Sequence, residues 1–188
     1  MTTVLFTEEK SIYHTMGCDC YDEKRNALTY TGEKAFICHP PCRTWGRLYK
    51  QTGLHPGEHL LSVWSILKIW KNGGVLEHPA GSKLWKLMKL PAPGSGVDSH
   101  NGWSLSIDQH WFGHKAKKNT WLYIRGVPPG EIPSYPINLN LITHCIAAHK
   151  SDSGLKLLDK KQYSKTPAQL AEFLIQLTEI INNKKLQK

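Results

Sequence analysis

The chain has 188 residues, with 24 Lys+Arg against 15 Asp+Glu, a formal charge of +9. Its length suits one domain with its own core, and 40% hydrophobic with 21% charged residues exclude a disordered chain. No run of about 18 apolar residues occurs, which excludes a membrane-spanning helix of the usual kind.

Met1-Thr2-Thr3-Val4-Leu5-Phe6-Thr7-Glu8 carries neither a basic leader nor a long apolar stretch, so a cytoplasmic protein is expected. The positive balance favours an anionic partner, a nucleotide or a nucleic acid, although solvated surface lysine is the plainer reading. One α/β domain is expected over 1–183, followed by a basic flexible tail at 184–188 that includes Lys184, Lys185 and Lys188. Cys18, Cys20, Cys38, Cys42 and Cys145 are an odd set without a secretory signal, so reduced thiols are expected. Zinc is disfavoured, because Pro40 and Pro41 between Cys38 and Cys42 limit the knuckle geometry.

In chain order, residues 4–6 form a short predicted strand, followed by a polar loop through Asp22 that suits a ligand. Residues 35–38 are a compact apolar strand stopped by His39-Pro40-Pro41. Residues 57–72 read as a helix with so wide an apolar stripe that it should be mostly buried, ended by Gly73 and Gly74. Residues 75–77 are a strand halted at His78-Pro79, and 103–109 and 121–124 are further strands. Thr166 and Pro167 open a last helix as cap and first residue, with Leu170, Phe173, Leu174, Leu177, Ile180 and Ile181 on one apolar face. Alternating strands and helices, with polar residues bunched at strand ends, predict a Rossmann-like sheet flanked by helices. Ligands of such sheets bind outside the carboxyl ends of the strands, which places Cys42 and Glu77 at one edge.

Ala35-Phe36-Ile37-Cys38-His39-Pro40-Pro41-Cys42 resembles the nucleophile loop of DNA cytosine-5 methyltransferases, and thymidylate synthases use a similar Pro-Pro-Cys-His element. Val75-Leu76-Glu77-His78-Pro79 is similar to the strand on which that family carries its base-binding glutamate, with His78 in place of asparagine. Phe112-Gly113-His114, the basic stretch Lys115, Lys117 and Lys118, and the strand after it resemble a later motif, without its arginines. Small phage and prophage proteins share a comparable string, and the resemblance spans roughly residues 35–182. It implies the catalytic half of a cytosine-5 methyltransferase, with Cys42 adding to C6 of a pyrimidine and Glu77 holding the base edge. His39, Arg43, Arg25, His78, Ser82, Gln109, His114 and Lys118 are then the candidate substrate-binding residues. The chain departs from the family in residues 1–34, which lack the glycine loop for S-adenosylmethionine, and it has no room for a target-recognition domain.

Each candidate also has a bland reading. Cys42 suits a buried structural thiol, Glu77 a helix cap or a lysine pair, and the histidines hydrogen-bonded loop positions. Arg25 and Arg43 suit pairs with Asp22 or Glu23, and Gly81-Ser82 suits either a phosphate-binding helix start or a plain N-cap. Trp45 and Trp111 are the tryptophans expected nearest the pocket. A thiol lowered by Arg43 and His39 makes the chain a pyrimidine-modifying, transferase-like enzyme acting on a nucleotide or nucleic acid. The alternative is a phage protein that sequesters a nucleotide or signalling molecule without chemistry. A third reading, hydrolysis or glycosyl transfer, requires Asp19, Asp22 or Asp108 beside Glu77.

Overall fold

The computed structural model describes residues 1–46, 56–138, 140–146 and 154–187. The fold is mixed α/β, with a six-stranded, mostly parallel sheet flanked by helices. The strands are β1 (Thr3–Leu5), β2 (Asp19–Tyr21), β3 (Phe36–Cys38), β4 (Gly74–Pro79), β5 (Gly102–Asp108) and β6 (Asn119–Arg125), in the order β2-β1-β3-β4-β6-β5. The first four run parallel, and β6 is antiparallel to both β4 and β5. The helices are α1 (Ile12–Thr15), α2 (Glu58–Asn72), α3 (Leu84–Leu87), α4 (Lys160–Tyr163) and α5 (Ala168–Leu186). A separate two-stranded sheet pairs β7 (His144–Cys145) with β8 (Lys156–Leu157).

Strand alternation divides the core into two layers. Val4, Ile37, Val75, Leu122 and Ile124 face Tyr13 of α1 and Leu170, Leu174, Leu177 and Ile181 of α5. Their neighbours Leu5, Phe36, Cys38, Leu76 and Tyr123 face Ile66 and Ile69 of α2 and Leu84 and Trp85 of α3. Asn182 clamps α5 to the strand start: its Oδ1 accepts from the Ala35 N–H at 2.8 Å and its Nδ2 donates to the Ala35 carbonyl at 3.2 Å.

Four expectations need correction. Helix α2 is only half-buried: Leu60 and Leu67 are 56% and 51% exposed, while Ser62 and Ser65 lie on its inner face. Those serines tolerate burial because both hydroxyls are bonded, Ser65 to the Leu61 carbonyl and Ser62 to Trp45 and the Pro41 carbonyl. Strand β4 continues through His78 and Pro79, where antiparallel pairing with Trp121 and Thr120 holds it. Pro167, not Thr166, takes the N-cap of α5, and no side chain caps that helix start. The helix also continues past residue 183, so Lys184 and Lys185 are helical, and the Lys185 Nζ donates to the carbonyls of Glu33 and Asn72. Lys188, the last residue of the expected tail, lies outside the described residues.

Candidate functional site

The chain passes from β1 to β2 on one side and then to β3 on the other, so the strand order reverses between β1 and β3. Such a switch point opens a crevice at the carboxyl edge of the sheet, because the connections leave in opposite directions. A cleft of about 760 Å³ occupies this position. Phe6, Thr7, Glu8 and Lys10 line it after β1, and His39, Pro40, Pro41, Cys42 and Arg43 after β3. Glu77 and Pro79 line it from the end of β4, Lys118 from before β6, and Ser164, Lys165, Thr166 and Ala168 from the entry to α5. Cys42 and Glu77 thus meet in one cleft, as the sequence indicated. Among the lining residues, Lys10, Arg43, Lys118 and Lys165 face only two carboxylates, Glu8 and Glu77.

A chain of hydrogen bonds runs through the cleft wall. The Tyr13 hydroxyl and His39 Nε2 are 2.9 Å apart, and His39 Nδ1 is 3.0 Å from Glu77 Oε2. Gln109 Nε2 donates to Glu77 Oε1 at 2.9 Å and to Thr120 Oγ1 at 3.1 Å. An ionised carboxylate only accepts, so a neutral His39 carries its proton on Nδ1 and takes the tyrosine hydroxyl at Nε2. Burial by itself would raise the Glu77 carboxyl. The His39 hydrogen bond first and then the Lys118 charge oppose it, and the group is held at about 2. Glu77 is therefore a carboxylate with spare lone pairs for N–H donors.

Cys42 stands on an exposed loop at the start of the 3₁₀ turn Arg43–Trp45. The loop is pinned from behind: Trp45 Nε1 donates to Ser62 Oγ at 3.0 Å, and the Ser62 hydroxyl donates to the Pro41 carbonyl at 3.4 Å. The thiol is not lowered as expected. Desolvation and the Glu77 charge push it up, with Lys118 pulling the other way. The expected helpers are engaged elsewhere, His39 with Glu77 and the Arg43 Nε with both Glu58 oxygens at 2.7 and 2.9 Å.

Several other candidates do not line the cleft. Arg25 pairs with Asp19 and lies over the Tyr21 ring at 3.8 Å. His78 follows Glu77 in the strand, so its side chain belongs to the opposite face, edge-on to Trp85 at 6.2 Å. Ser82 accepts from the Leu84 N–H at 3.1 Å, the plain turn-and-cap role. His114 is buried against the Ala116 carbonyl at 2.7 Å. Gln109, 1% exposed, holds Glu77 from behind. Trp45 and Trp111 are also absent from the lining, Trp45 because it anchors the loop. Of the carboxylates proposed to join Glu77, Asp19 pairs with Arg25, Asp22 accepts from the Arg25 N–H, and Asp108 bonds the His110 and Lys118 N–H groups.

Tyr13, Lys10 and Lys165 are the site residues that sequence reasoning missed. No motif marks them; the hint for Tyr13 was a ring next to Ile12 in a stretch otherwise polar. Among the described residues no group of three or more His, Cys, Asp and Glu is arranged to hold a metal ion, and no helix is long and apolar enough to cross a membrane. S-Adenosylmethionine does not fit the exit of β1 in the way the resemblance implies. Phe6 has φ 61°, a conformation that favours glycine, yet it carries an aromatic ring packed edge-on to Trp64 at 6.1 Å. The first glycine after it is Gly17.

Comparison with protein-family models, with curated proteins and with solved structures finds no match.

Proposed function

We propose that the cleft is a pyrimidine-nucleotide site of a transferase-like enzyme related to the catalytic half of cytosine-5 methyltransferases. The observation that carries this reading is the placement of Cys42, Glu77 and Lys118 in one cleft, with the thiol in electrostatic reach of both charges. The ionised Glu77 accepts hydrogen bonds from the amino edge of a cytosine ring, and Lys10 and Lys165 supply positive potential for its phosphate. Cys42 adds across the C5=C6 bond: sulfur bonds to C6, the thiol proton leaves, and C5 gains a proton. Reversal restores the ring and exchanges the hydrogen at C5 with solvent.

Deoxycytidine monophosphate incubated with the protein in heavy water tests this. Deuterium should enter C5 with the wild type and not with Cys42→Ser, while both bind the nucleotide. Absence of binding refutes the site itself.

A second reading, capture of a nucleotide without chemistry, is favoured by one observation. The Cys42 thiol is raised rather than lowered, and Arg43 is already paired with Glu58. Binding without exchange, unchanged in Cys42→Ser, would select it.

A further inference from the structure

At the opposite end of the sheet, about 17 Å away along β4 at about 3.3 Å per residue, lies a groove of about 610 Å³. It is bounded by the C-terminal turn of α2, the start of β5, the loop after β6 and the end of α5. Val97, Pro128 and Pro129 contribute apolar surface, and Lys71, Arg125, Lys184 and Lys185 line it with no carboxylate among the lining residues.

The four cations are not equivalent. Lys184 pairs with Glu131, outside the lining. Lys185 donates to two backbone carbonyls, Asn72 at 2.9 Å and Glu33 at 2.8 Å, and thereby closes the C-terminus of α2. Arg125 is anchored through Nε, which donates to the His100 carbonyl at 2.7 Å. Among the described residues, that leaves the two terminal nitrogens of its guanidinium uncommitted, the fork that matches a phosphate. Among the described residues neither Arg125 nor the exposed Lys71 has an acidic partner.

The arrangement also places like charges together. Burial first, and then the neighbouring Arg125, lower Lys185, against the opposing pull of Glu33.

We propose that this groove is a second binding site, for the phosphodiester backbone of a single nucleic-acid strand, separate from the cleft. The uncommitted cations come from two elements, α2 and β6, that border one groove. A strand offers each of them a phosphate of its own, which a single anion does not. The net charge of +9 draws a polyanion to the surface in any case, and the groove gives it a register.

The test is fluorescence anisotropy with a labelled thymidine strand of about 12 nucleotides, titrated at several salt concentrations. Each phosphate contact to a single strand contributes about 0.7 to the slope of log affinity against log salt, so Lys71→Gln with Arg125→Gln should flatten it by about 1.4. If the affinities converge near 1 M salt, that is about a 25-fold loss at 0.1 M. Lys71→Gln alone, at an exposed position that does not threaten folding, should lose about fivefold.

Replacing the exposed Lys86 and Lys89 with glutamine should change the slope far less. Saturating deoxycytidine monophosphate should not displace the strand. An unchanged slope in the double variant overturns the proposal, as does a slope lost in Lys118→Gln instead, which would put the strand in the cleft. Displacement by free inorganic phosphate at equal phosphate concentration also overturns it, in favour of a small-anion site. Because cleft binding is read with the mononucleotide and groove binding with the strand, either can fail alone.

Discussion

Replacing Glu77 with glutamine tests the electrostatic reading of the cleft most directly. The carboxyl is held at about 2 against an ordinary 4.5, and its side chain is only 13% exposed. That difference, at 1.36 kcal/mol per pH unit, corresponds to about 3 kcal/mol of folding stability at neutral pH. The sign follows from proton uptake. The unfolded chain binds the proton more tightly than the folded one, so the stabilisation is complete above pH 4.5. It is lost as the pH falls through 2, and about 1 kcal/mol should remain near pH 3. Glutamine at this position keeps the shape but not the charge, so urea unfolding of Glu77→Gln at pH 7 should show a loss of about 3 kcal/mol, a fall in Tm of about 6–12 °C. The gap between variant and wild type should narrow to about 1 kcal/mol near pH 3. A gap independent of pH would mean that shape, not charge, makes Glu77 matter, and would refute the reasoning.

Three further outcomes are expected. His78 is fully buried beside Trp85, and burial lowers it to about 4 from 6.5, against the opposing pulls of the Glu77 charge and the Pro41 backbone. The folded state thus loses about 3 kcal/mol between pH 6.5 and 4, and His78→Phe should abolish that loss in acid unfolding curves. Cys42 is the exposed cysteine among five, so it should alkylate first in the native protein. Its rate at neutral pH should be slower than that of a free thiol and faster in Glu77→Gln, because desolvation of the sulfur by the loop around it and the Glu77 charge raise it. Gly74 has φ 132°, and a Cβ there would stand 2.3 Å from the Phe36 carbonyl oxygen. Gly74→Ala should therefore cost about 3 kcal/mol or more in urea unfolding, and a cost under about 1 would contradict the packing of β3 on β4.

The parts of the fold that were legible in the sequence are those fixed by local pattern. The apolar runs around Ile37, Val75 and Ile124 announce strands, and the 3.6-residue spacing from Leu170 to Ile181 announces α5. The presence of Cys42 and Glu77 in one cleft followed from the same logic, since Cys42 follows β3 and Glu77 lies in the last half of β4, strands that run parallel in one sheet. Even the exclusion of His78 from the cleft was implicit, because adjacent residues of a strand point to opposite faces. By contrast, β2 hid in a polar stretch: three residues beginning with Asp19 carry too little pattern to be recognised without the neighbouring β1.

Only the tertiary structure decided the electrostatics of the site. Tyr13, His39, Glu77 and Gln109 are separated by 26 to 38 residues at each link, and no spacing rule predicts that their polar atoms will meet. The same holds for Arg43, whose charge was expected to activate Cys42 and instead meets Glu58 fifteen positions later. Composition determines how much charge the chain carries. The distances over which those charges act are short, so which partner each one finds is settled by how the helices close over the sheet.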